Sequence, residues 1–122
     1  MSDTAVEIST CPATINYVHF KGDTWNPDTI TVSDGGTPVN FTGATASMTF
    51  ANPVNGTVVQ TLTSASGRIT LSSVGVITKT MTAAESAALR LGDFLVKLTV
   101  TLTSGRVWTI ENGIFEQRDK NL

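Results

Sequence analysis

Apolar and polar residues alternate most regularly between Asp93 and Thr103. Phe94, Val96, Leu98, Val100 and Leu102 alternate with Leu95, Lys97, Thr99, Thr101 and Thr103. This period of two predicts a strand with one buried and one mostly wet face. Just before it lies the clearest helix signal. Thr82 is followed three residues later by Glu85, the spacing of a capping box. Ala83, Ala84, Ala87, Ala88, Leu89 and Leu91 favour helix. Gly92 stands where a left-handed cap would end it. One short helix is therefore expected over about 82–91, too short to persist alone in water. It is expected to pack through Leu89 and Leu91.

The rest of the chain reads as strands and turns. Val6 and Ile8 alternate in a polar start, and Pro12 suits an edge strand or a kink. A strand resumes from Ala13 with Ile15, Tyr17, Val18 and Phe20, and Gly22-Asp23 turns. Ile30 and Val32 alternate with threonines up to the hairpin signal Asp34-Gly35-Gly36. Ala44, Ala46, Met48 and Phe50 mark a half-buried strand, and Thr57 to Thr63 returns. Ile69 and Leu71 face inward on a short strand, and Val76 to Met81 follows. Ser104-Gly105 turns into Val107 to Gln117, with a bulge expected at Asn112-Gly113. About eight short strands, with turn signals every eight to twelve residues, predict a sandwich or barrel. Short, unequal strands bridged by a small helix favour the sandwich. The fold class is all-β, a sandwich of about 7–9 strands.

Composition narrows the function classes. At 122 residues the chain is long enough for one domain with one real core. Its net charge is −2 and no basic face is evident, so nucleic-acid binding has little electrostatic support. No apolar run is long enough to span a membrane, so no membrane insertion is expected. The start lacks the basic and apolar regions of a signal peptide. A lone Cys11 allows no internal disulfide and fits synthesis in a reducing cytoplasm.

Chemistry is sparse. His19 is the sole histidine, and with Cys11 alone it makes a poor metal site. No nucleophile elbow, phosphate loop or calcium loop is present, and no spacing pairs two carboxylates on one strand face. No catalytic residue, metal or cofactor is therefore assigned. Trp25 and Tyr17 leave two alternatives open: core, or a platform for a sugar or partner. Asn40-Phe41-Thr42 and Asn55-Gly56-Thr57 match a glycosylation pattern but read more simply as turns.

Three segments carry a resemblance through their order and spacing. They are Phe20 to Trp25 (FKGDTW), Thr37 to Thr45 (TPVNFTGAT), and Gly75 to Gly92 with Met81-Thr82-Ala83-Ala84-Glu85. Together they resemble small tailed-phage structural proteins, and are similar to the amino-terminal domain of siphophage baseplate upper proteins and related tail and collar proteins. The resemblance spans roughly residues 17–116. It implies an immunoglobulin-like sandwich that is a virion part and not an enzyme. It also implies other virion structural proteins as partners, a homo-oligomer in a symmetric assembly, and production in the bacterial host cytoplasm. The alternatives are a capsid decoration or head–tail accessory protein, or a module that adheres to cell-surface glycans. The expected organisation is an amino-terminal arm over 1–12, the sandwich over 13–117 and a polar tail over 118–122. The arm could add to a neighbour's sheet edge. The candidate partner-interface residues are Val6, Ile8, Tyr17 and Trp25.

Overall fold

The structure, a computed structural model, describes residues 3–119. Among these residues, eleven strands, one short α-helix and a 3-10 turn at Ile8–Thr10 form an all-β sandwich of two sheets. The first sheet contains β1 (Asp3–Glu7), β4 (Trp25–Asp34), β9 (Val76–Met81) and β8 (Ile69–Leu71) in that order, with β5 (Thr37–Pro38) paired to β4. The second runs β2 (Ala13–Thr14), β11 (Val107–Arg118), β10 (Gly92–Thr101), β6 (Thr45–Ala51) and β7 (Val58–Thr63). In that sheet β3 (Tyr17–Phe20) also pairs with β11. The strand number exceeds the expected range because β2 and β5 are two-residue pieces and β1 is a true strand.

The amino-terminal segment changes sheets at Pro12, whose peptide bond to Cys11 is cis. Before it, β1 runs parallel to β4; beyond it, β2 and β3 run parallel to β11. The kink expected at Pro12 is therefore the crossover between layers. The expected tail begins inside β11, which extends through Arg118; residues 120–122 and 1–2 lie outside the described range.

The core fills the space between the sheets. Phe50 and Phe115 meet edge to face at 5.0 Å, and Trp25 packs against Phe115 at 5.4 Å. Met48, Leu62, Ile77 and Leu98 are fully buried around them. Phe41, from the extended link before β6, closes on the same core. Aromatic pairs in such T-shaped contacts add to the stabilisation from buried area.

The helix α1 spans Ala83–Ala88 and is shorter than expected. Its capping box forms as read: the Glu85 amide donates to Thr82 Oγ1 at 3.1 Å, and the Thr82 amide donates to Glu85 Oε1 at 2.9 Å. Its end differs. Leu89 is already extended, and Gly92, with φ +113°, opens β10 instead of capping the helix. Leu89 is buried, while Leu91 is exposed. The second anchor of the helix is polar. Ser86 is fully buried, and its hydroxyl accepts from the Gly22 amide at 3.0 Å, tying α1 to the β3–β4 turn.

The bulge also lies elsewhere. Register between β10 and β11 shifts between Leu98 and Thr99, which pair with Glu111 and Thr109. Ile110 is therefore the extra residue. A bulge re-aims the side chains that follow it, and here Ile110 and Glu111 are consecutive yet both fully buried.

Candidate functional site

Two features stand apart from ordinary packing: a charged cluster inside the sandwich, and an apolar row on its outside.

The cluster assembles from four strands. In β9, Lys79 shares the inward phase of Ile77 and Met81, and it is fully buried. Across the ladder its register partner is Asp28 of β4, and the Lys79 ammonium lies 3.1 Å from Asp28 Oδ2. The bulge on β11 aims Glu111 at the same point from the opposite sheet, and its Oε1 lies 3.0 Å from Lys79 Nζ. Tyr17 on β3 completes the group. Its hydroxyl donates to both Glu111 oxygens, at 2.8 and 2.7 Å, and accepts from Lys79. The Tyr17 and Trp25 rings flank the ammonium, with centroids 4.8 and 5.8 Å from Nζ. Burial, then the charge of Glu111 and its hydrogen bond, then the charge of Asp28 push the Tyr17 hydroxyl far above its usual range. A buried charge persists only when paired and hydrogen-bonded, and Lys79 meets that condition in full.

A second polar group sits where α1 meets the sheet. Gln117 donates to the Ser86 carbonyl at 2.7 Å, which turns its Oε1 toward His19 Nδ1, 2.9 Å away. His19 must therefore donate from Nδ1. Its Nε2 is buried and has no hydrogen-bond partner. Among the described residues no group of three or more metal-ligating side chains occurs.

The outer face of the second sheet is different in kind. Leu95 lies directly opposite Ile114 on one side and Ala51 on the other, and Ala51 lies opposite Val58. The row Val58–Ala51–Leu95–Ile114 thus crosses four strands without a charge. Val58, Leu95 and Ile114 are 52%, 45% and 39% exposed. With Lys97 and Asn112 they line a shallow groove of about 660 Å³. Val18 and Phe20 of β3 are also exposed. No Asp, Glu, Lys or Arg occurs between Asp34 and Arg68, so β6 and β7 bring no charge to this face.

The four interface candidates from the sequence do not lie on it. Val6 is buried in this chain's own core, Ile8 and Tyr17 pack partly buried against that core, and Trp25 is 9% exposed. Trp25 stands edge-on to Tyr17 at 5.2 Å, so the two rings form no open sugar-stacking platform. Of the two alternatives left open for Trp25, core is the one the structure adopts. The exposed row was present in the sequence as Leu95 on the wet phase of β10, the one large apolar residue there.

No known family's sequence profile matches the chain, and no curated protein matches it. A solved structure does: the N-terminal domain of phage TP901-1 ORF48 matches with a TM-score of 0.61 at 12% identity, covering 98% of this chain and 100% of that one. The fold is that of a phage protein domain. An amino-terminal domain of a phage protein is also what the motif order resembled, and at this identity the likeness is one of fold.

Proposed function

We infer that the protein is a non-enzymatic structural component of a tailed-phage virion. In this reading it is an immunoglobulin-like module of the tail, baseplate or collar that holds neighbouring virion proteins. The carrying observation is the fold shared, over nearly the whole of both chains, with a phage domain. The uncharged apolar row on the second sheet supports a role in assembly, since contiguous exposed apolar surface marks interaction sites. The protein is made in the host cytoplasm and joins a symmetric homo-oligomeric ring, where that row meets another virion protein. The arm expected over 1–12 takes part by strand exchange. Strand β1 lies at a sheet edge and pairs with β4, so a neighbour's β4 offers the same register, the low-cost route of domain swapping.

Mass spectrometry of purified virions, with copy number, tests this. Several copies per tail are expected. Absence from virions would overturn the proposal, and recovery on capsids alone would move the protein to head decoration.

A further inference from the structure

The buried cluster contains the reactants for a covalent bond. Lys79 offers an amine and Asp28 a carboxyl group, held opposite each other in the β4–β9 ladder with Nζ 3.1 Å from Oδ2. A second carboxylate, Glu111, touches the same nitrogen at 3.0 Å and is itself held by the Tyr17 hydroxyl. Lys79 and Glu111 have no solvent exposure, and the Asp28 side chain has 13%. An ordinary ion pair needs one carboxylate. Here two carboxylates from opposite sheets converge on one ammonium in a water-poor, aromatic-walled space.

We propose that Lys79 and Asp28 condense to a side-chain amide, an intramolecular isopeptide cross-link between β4 and β9, with Glu111 as the proton shuttle. The overall step converts ammonium plus carboxylate to amide plus water. One proton leaves the Lys79 ammonium for Glu111 and passes to the Asp28 carboxylate, giving an amine and a carboxylic acid. The nitrogen lone pair attacks Asp28 Cγ, and the C–N bond forms. A second proton leaves nitrogen for Glu111 and is delivered to the Asp28 hydroxyl, which departs as water as the C–O bond breaks with its electron pair. The third hydrogen stays as the amide N–H, and Glu111 returns to carboxylate. No oxidant or activating co-reactant is needed.

Two physical effects drive it. The ladder fixes both reactants at contact distance, replacing a bimolecular encounter with a positioned one. Burial penalises the two charges that the reaction removes, whereas a neutral amide needs only hydrogen-bond partners. The general acid–base role of Glu111 requires hydrogen-bond reach of the proton it takes up, and its Oε1 lies 3.0 Å from the Lys79 nitrogen that gives up that proton. This inference is independent of the virion reading, because it rests on the cluster alone.

Intact mass of the full chain, purified and then denatured, tests it. The expected mass is lower by one water than the sequence requires. Trypsin should then fail to cut after Lys79, and residues 22–68 should appear joined to residues 69–90. Glu111→Gln should restore the full mass in a chain that still gives a β-sheet spectrum, and Asp28→Ala should restore it whether or not it folds. A full-mass wild-type chain cut after Lys79 overturns the proposal. So does a one-water loss that maps to Asp28 alone, as a cyclic imide, or to a Lys79–Glu111 bond. A cross-link that persists in Glu111→Gln overturns the shuttle.

Discussion

The hydroxyl of Tyr17 donates to both carboxylate oxygens of Glu111, at 2.8 and 2.7 Å, across the gap between strands 94 positions apart in the chain. Burial first, then the neighbouring charge of Glu111, makes the phenolate form costly, so the folded pKa lies above the unfolded value. A raised folded value stabilises the protein fully below the unfolded pKa of about 10 and loses that stabilisation as pH rises beyond it. Tyr17 is the only tyrosine, so phenolate absorbance reports it alone. In an alkaline titration, phenolate should appear only together with loss of the β-sheet signal. A phenolate signal near pH 10 in a folded chain would contradict the burial of this hydroxyl.

The capping box predicts the opposite pH dependence. Burial pushes the Glu85 carboxyl up, but hydrogen bonds from the Thr82 amide, from Arg68 at 2.7 Å and from the Thr82 hydroxyl outweigh it, and the net shift is downward. A lowered folded value gives stability that is present above the unfolded pKa and lost as pH falls through the folded one. Glu85→Ala should therefore cost about 1 kcal/mol at neutral pH, and the difference should shrink toward zero in acid. Urea denaturation of both chains at neutral and acid pH measures this. Incorporation into particles should be unchanged by the substitution; a loss of incorporation at equal stability would make α1 an interface.

Much of this was legible in the sequence for local reasons. The capping box and the alternation of β10 are short-range patterns, and both formed. Lys79 and Asp28 were missed, although a signal for them is present: each is in phase with buried neighbours on its strand, Lys79 with Ile77 and Met81, Asp28 with Ile30 and Val32. A lysine between two inward apolar residues is a signal for a buried partner. Glu111 gave no such signal, because the bulge at Ile110 depends on pairing with β10 and reverses the phase only in the folded sheet. Nor could alternation place Val6, whose burial follows from the non-local parallel pairing of β1 with β4. The end of the helix was misplaced because alanine and leucine propensity runs on to Leu91. The Leu89 backbone turns extended where its side chain enters the core.

The apolar row predicts a separation of stability from assembly. Leu95 is half exposed and opposite Ile114 and Ala51. Leu95→Lys should change unfolding free energy by about 0.5 kcal/mol or less, as surface substitutions do. It should nevertheless reduce recovery of the protein in purified particles, because a charge would be placed in the middle of the apolar row. This variant is cleaner than deleting residues 1–12, which would remove Val6 from the core and test folding as well as assembly. Equal recovery of wild type and Leu95→Lys would clear this face of an assembly role.

Gly113 predicts how the amino-terminal segment is held to the second sheet. A Cβ there would lie 1.9 Å from the Ile15 carbonyl oxygen and 2.8 Å from its carbon, both backbone atoms that cannot rotate away. The close approach is built by two hydrogen bonds: the Ile15 amide donates to the Asn112 carbonyl at 3.0 Å, and the Ile114 amide donates to Asn16 Oδ1 at 3.1 Å. Gly113→Ala must push β2 off β11 at this point. The expected loss is about 1–3 kcal/mol, as for other overpacked sites. Hydrogen exchange should locate it: the Ile15 and Ile114 amides should exchange faster, while the β10–β6 ladder, on the far side of β10, keeps its protection. Uniform acceleration across both sheets would mean instead that β2 and β11 open only with the whole sandwich.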